Sequence, residues 1–120
     1  MEPALEVIVV DDNRDTADSL RDLIQVLGHT ASSFYCGKSA LQAARTASPL
    51  FVFLDVNMVG MNGLELAQSL RREFGDDIVL VAISGGPKDN ATVAKAFETA
   101  DHYFPKPVGL DQIKAILGHH

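Results

Sequence analysis

The chain has 120 residues, with no tryptophan, a single cysteine, and only ten Lys and Arg against sixteen Asp and Glu. One thiol, Cys36, rules out an intramolecular disulfide framework and fits a reducing compartment; it reads as a buried or incidental group. With a formal net charge of -6, the chain lacks the clustered cations that a general nucleic-acid or membrane surface needs. No apolar run approaches the roughly 20 residues of a membrane-spanning helix. Glu2 and Pro3 stand where a secretory signal would carry its basic region, so none is expected and the chain reads as soluble and cytoplasmic. There is no G-x-G-x-x-G or Walker sequence, which lowers the case for nucleotide binding. Low-complexity tracts, internal repeats and linkers are missing too. The hydrophobic share of 47% then implies one domain, residues 1–120, with its own core. His119 and His120 are set aside as a candidate tag remnant. The lack of an output segment suggests a domain cut from something longer.

What the sequence does contain is a set of short apolar runs that each close on polar residues. Val7-Ile8-Val9-Val10 is followed by Asp11 and Asp12, and Leu50-Phe51-Val52-Phe53-Leu54 by Asp55. Ile78-Val79-Leu80-Val81-Ala82-Ile83 is followed by Ser84, and His102-Tyr103-Phe104 shortly by Lys106. Near-continuous β-branched runs suit strands buried on both faces of a parallel sheet. His29–Tyr35 is shorter and more polar, as an edge strand would be.

Between these runs the apolar spacing turns helical. Asn13 can cap a helix carrying Ala17, Leu20, Leu23, Ile24 and Leu27 on one face, with Gly28 as its stop. Ala40, Leu41, Ala44 and Ala47 mark a second helix, ended by Ser48-Pro49. Leu66, Ala67, Leu70 and Phe74 mark a third, followed by a turn at Gly75-Asp76-Asp77. Val93, Ala94, Phe97 and Ala100 mark a fourth, and Leu110, Ile113, Ile116 and Leu117 the last. Five strands alternating with five helices predict a doubly wound, flavodoxin-like (βα)5 sandwich. Right-handed crossovers bring the loops after the strands to one edge of the sheet, where such folds bind ligands.

That edge would gather three carboxylates, a hydroxyl and an ammonium. Magnesium takes oxygen ligands in octahedral geometry, often one or two carboxylates plus phosphate and water. Asp11, Asp12 and Asp55 supply carboxylates for Mg2+ or Mn2+, and the backbone carbonyl of Asn57 is a candidate further ligand. Phosphoryl transfer to a carboxylate needs an accessible oxygen, charge neutralisation and donors for the moving oxygens. Asp55 can be the nucleophile, Lys106 a neutralising cation, and Ser84 a donor to the acquired phosphate.

The order of these residues resembles that of response-regulator receiver domains over essentially the whole chain. The resemblance rests on Asp11-Asp12, Asp55, the Met58–Met61–Gly63 pattern, Ser84, Tyr103 and Lys106-Pro107. The stretch Val9–Asp15 is also similar to receivers attached to hybrid sensor histidine kinases. The resemblance implies that Asp55 takes a phosphoryl group from a phosphohistidine on a histidine kinase or phosphotransfer protein. It further implies that Ser84 swings toward the phosphate and Tyr103 turns inward. The face formed by the fourth helix, last strand and last helix would change for an output domain or protein, and pairing of two copies through the last helices is a common family habit. One departure is Val59, where the family usually has proline; this leaves the loop less restrained.

Two rival readings remain in view. A haloacid-dehalogenase-like phosphatase also uses Asp, magnesium, Ser or Thr and Lys, but needs a D-x-D motif. Here the stretches read Asp55-Val56-Asn57 and Asp11-Asp12-Asn13. A degenerate receiver acting only as a binding module would have lost one of the polar residues, and none is lost.

Asn57 and Gly86 lie two residues beyond Asp55 and Ser84 and are expected to flank the route of a hydrolytic water. Gly86 offers no shield, so a short-lived aspartyl phosphate is predicted. Dephosphorylation of Gly86→Arg should be slower than that of the wild type; an unchanged rate would reject the idea.

Overall fold

The computed structural model describes residues 6–47, 49, 51–56, 63–84, 98–106 and 108–118. Five strands form one sheet: β1 (Glu6–Val10), β2 (Thr30–Phe34), β3 (Phe51–Asp55), β4 (Val79–Ser84) and β5 (His102–Pro105). All pairings are parallel and the order is β2-β1-β3-β4-β5, the flavodoxin-like arrangement that the alternation of patterns predicts. The described helices are α1 (Arg14–Val26), α2 (Gly37–Ala47), α3 (Gly63–Phe74) and a C-terminal helix (Leu110–Gly118). Of the predicted fourth helix, Val93, Ala94 and Phe97 lie outside the described residues, while Glu98 and Thr99 are helical. The expected turn at Gly75–Asp77 is one turn of 3-10 helix.

Local chemistry explains the helix boundaries. The Asn13 side chain accepts the Thr16 N–H at 3.1 Å, filling one of the orphan donors at the start of α1. Ala17, Leu20 and Ile24 are the buried face of that helix. It stops where Gly28 takes φ +94°, a left-handed backbone that costs glycine little.

Strand alternation divides the core into two layers. Val7, Val9, Phe51, Phe53, Val81 and Ile83 face α1 and the C-terminal helix, with Ile24, Ile113 and Leu117 among their partners. Ile8, Val10, Val52, Leu54 and Leu80 face α2 and α3, where Leu41, Leu66 and Leu70 meet them. Burial of each large side chain contributes roughly 1.5–3 kcal/mol. Burial on both faces is why the strands read as unbroken apolar runs rather than alternating ones. The thiol of Cys36, just ahead of α2, is exposed, which leaves the incidental of its two expected readings; it lies 3.0 Å from Ser39 Oγ.

At the amino end of β4 a single arginine fastens several segments. Arg71 donates to the carbonyls of Gly75 (2.7 Å) and Ile78 (3.2 Å), and to Asp101 Oδ2 (2.7 Å). Asp101 Oδ2 also accepts the Leu80 N–H at 2.9 Å. Burial works against the Asp101 carboxylate, but the Leu80 N–H and the Arg71 guanidinium outweigh it and hold its pKa below the ordinary value. The start of β5 is thus pinned to β4 from below, while its other end carries the residues of the site.

Gly63 opens α3 against the end of β3, with its N–H donating to the Val56 carbonyl at 3.2 Å. A Cβ at this position would collide with the Asp55 carbonyl oxygen and Val56 Cα. Backbone on both sides leaves no flexible group to yield. Gly63→Ala should therefore destabilise the fold by about 1–3 kcal/mol, read by urea denaturation. An unchanged midpoint would show that α3 does not need this close approach.

Candidate functional site

The sheet's winding reverses between β1 and β3, so a crevice opens beyond their carboxyl ends. Val10 and Leu54 are registered partners, which sets Asp11 and Asp55 side by side in that crevice. Both continue the alternation of Val7-Val9 and Phe51-Phe53, and so stand on the α1 face of the sheet. Both are buried, at 4% exposure each, whereas Asp12 is exposed. Oxygen atoms of the three carboxylates lie within 4.8 Å of one another.

Lys106, directly after β5, closes the crevice. Its ammonium donates to Asp11 Oδ2 at 2.8 Å and stands 3.3 Å from Asp55 Oδ2. Burial disfavours the charged lysine, but the hydrogen bond to Asp11 and the charges of Asp55 and Asp11 outweigh it and raise its pKa above the usual lysine value. The Lys106 N–H donates to the Ser84 carbonyl at 3.0 Å, so the backbone that carries the lysine is fixed to the end of β4.

Asp11 is held by two partners of different kinds. Its Oδ2 receives the Lys106 ammonium and its Oδ1 accepts the Asn13 N–H at 3.0 Å. The latter is the local turn that an aspartate makes with the amide two residues on. Asn13 serves the site through its backbone and α1 through its side chain, a pairing that Asp11-Asp12-Asn13 could have signalled. Further along α1, Asp18 Oδ1 accepts the hydroxyls of Tyr35 (2.7 Å) and Ser33 (2.8 Å). Those two hydrogen bonds, with smaller contributions from Arg21 and Arg14, hold the Asp18 pKa below its ordinary value. The Arg14 guanidinium lies 4.3 Å from the centre of the Tyr35 ring. The first turns of α1 are thereby braced against the end of β2, an anchor the sequence pattern did not reveal because its members lie 17 residues apart.

Ser84 and Tyr103 occupy the opposite face. Ser84 shares its parity with Leu80 and Ala82, and Tyr103 is registered with Ala82. Ser84 is 1% exposed at the end of β4. Tyr103 is half-buried against Ala82 and Val56, with Leu64 and Ala100 beside them, and its hydroxyl oxygen is enclosed. The sequence-predicted residues therefore assemble at one edge but in two sets. Asp11, Asp55 and Lys106 stand on the α1 side, Ser84 and Tyr103 on the other. Asn57, Met58, Val59, Met61, Gly86 and Pro107 lie outside the described residues.

The donor set suits a hard divalent cation. An octahedral magnesium ion binds oxygens at about 2.0–2.1 Å, so its ligands stand roughly 3–4 Å apart. The separation of the three carboxylates is close to that, and a cation would relieve a repulsion that one ammonium only partly offsets.

Comparison with known proteins shows the family and the fold. The family model described as "Response regulator receiver domain" matches residues 7–118. The response regulator MprA of Mycobacterium ulcerans is 32% identical over 112 residues, covering 93% of this chain and 48% of MprA. The chain thus spans about half the length of the curated relatives it matches. A CheY-like receiver domain from Methylobacillus flagellatus superposes with a TM-score of 0.86 at 29% identity, covering 98% of both chains. The signal receiver domain of a modulated diguanylate cyclase from Desulfovibrio desulfuricans superposes with a TM-score of 0.87 at 25% identity, covering 98% of this chain and 93% of that one.

Proposed function

Because the chain belongs to the response-regulator receiver family, we propose that Asp55 accepts a phosphoryl group from the phosphohistidine of a partner kinase or phosphotransfer protein. The observation that carries this reading is one ammonium, Lys106, shared by two buried carboxylates at the strand-end crevice. In the transfer an Asp55 oxygen attacks phosphorus, the bond from phosphorus to the imidazole nitrogen breaks, and the histidine leaves with the electron pair. Asp11, Asp12, Asp55 and the Asn57 carbonyl would hold Mg2+ or Mn2+. When bound, that ion supplies neutralisation of the charge on the phosphoryl oxygens.

The side chains then have separate tasks. Lys106 moves its hydrogen bonding from the carboxylates to a phosphate oxygen, at little cost because it already lies within reach of Asp55. The buried Ser84 hydroxyl crosses from its own face of the sheet to a second phosphate oxygen. Tyr103, on that same face, fills the space that Ser84 gives up. The phosphate acts by binding one of two pre-existing arrangements better than the other. The surface that changes is built from the fourth helix, β5 and the C-terminal helix.

On this reading the chain is the substrate of the reaction and not a turnover enzyme, and it works in the cytoplasm. Its output is another domain or protein. The chain spans about half of MprA, and a similar receiver domain comes from a modulated diguanylate cyclase. Among the described residues no helix is long and apolar enough to cross a membrane.

Incubation with magnesium and acetyl phosphate, followed by intact mass, tests the proposal. One phosphoryl group should be gained by the wild type and none by Asp55→Asn. Ser84→Ala should still gain it, but without the change in the environment of Tyr103 that follows phosphorylation. No gain by the wild type from acetyl phosphate or a phosphohistidine donor would leave a binding module. Repeated turnover of an aryl phosphate would instead favour a phosphatase.

A further inference from the structure

Beside the carboxylates, on the α1 face of the sheet, lies a half-open cavity of about 540 Å³. Its volume falls within the roughly 300–1,000 Å³ of ordinary small-molecule pockets, and that size is not needed for a metal ion and a phosphoryl group. Its lining is largely apolar: Val9, Phe53 and Ile83 lie buried behind it in the core, and Leu20 and the half-buried Leu23 and Val108 edge it. The charged groups all lie along its lining from Asp15 to Lys106. They are the carboxylates of Asp11, Asp15 and Asp55 and one cation, Lys106, which already bridges two of them. Asp15 is exposed in the first turn of α1 and makes no ion pair among the described residues. In the metal-free protein, three negative charges against one positive leave this apolar lining anionic.

We infer that this cavity binds a small cationic amphiphile, with an ammonium or amidinium head toward Asp15 and an apolar body on Leu20, Leu23 and Val108. An anionic or strongly polar ligand would meet repulsion at the lining or strand its polar groups against the apolar side chains. The head needs no carboxylate that Lys106 occupies, so the ligand fits with the crevice intact. Bound there it touches Lys106 and Asp55, and on the phosphoacceptor reading it hinders the lysine from reaching a phosphate.

The test is an amide NMR titration of the whole chain with 4-phenylbutylamine, set against 4-phenylbutyrate at matched ionic strength. Neither phosphodonor nor divalent cation is present, so the result stands apart from that of phosphoryl transfer. Saturable shifts are expected at Leu20, Leu23 and Val108, with the amine binding at least about tenfold more tightly than the acid. Asp15→Asn should weaken the amine by about threefold, the size of one exposed ion pair. Ser19→Trp places bulk over the cavity from an exposed helix position, so it should keep the folded spectrum and lose the amine shifts. Equal binding of the two probes, absence of saturable shifts, or binding that survives Ser19→Trp in the folded protein would overturn the inference.

Discussion

Two carboxylates are forced together, nearly out of water, at the one place where the sheet reverses its winding. Asp11 and Asp55 follow registered residues on adjacent parallel strands, so the backbone pairing itself fixes their proximity. Neighbouring buried charges of one sign cost energy that the fold has to offset locally. It does so with the Asn13 amide on one Asp11 oxygen and the Lys106 ammonium across the other oxygen and Asp55. These partners are the cap of α1 and the residue after β5, so relief of a single repulsion ties the first helix and the last strand to the centre of the sheet.

The period of two along each strand gives this arrangement its second property. Asp11, Asp55 and Lys106 are on the α1 side, whereas Ser84 and Tyr103 are on the other. A charge added at Asp55 that drew Ser84 toward it would change packing through the sheet, on the face away from α1. Arg71 and Asp101 hold the far end of β5 to β4, which confines such a change to the carboxyl-terminal end. Local rearrangement at one end of a strand pinned at the other is a mechanical basis for an altered surface.

Much of this was legible in the sequence because parallel buried strands leave unbroken apolar runs and the residue closing each run marks the edge where the candidate site gathers. The first helix was equally plain: Asn13, the apolar stripe and Gly28 state its start, face and stop. The two-sided division of the site was available from parity but needs the register between strands, which Ala82 and Tyr103 acquire only on pairing. Long-range side-chain chemistry was not legible. Asp18 with Tyr35, and Arg71 with Asp101, join residues far apart by polar contacts that carry no periodic signal. Exposure of Cys36 was left open because residue type predicts burial only on average.

The account stands on Lys106 serving as the standing counter-charge of Asp11 and Asp55. Urea unfolding of the wild type and Lys106→Met, with and without magnesium, measures this directly. Without magnesium the variant should be less stable by about 1–3 kcal/mol, the cost of leaving buried carboxylates without their charged donor. Magnesium should stabilise both proteins, and the variant by more, since the ion then neutralises what the lysine no longer does. Equal stability of the two proteins in magnesium-free buffer, or no stabilisation of either by magnesium, would contradict the account.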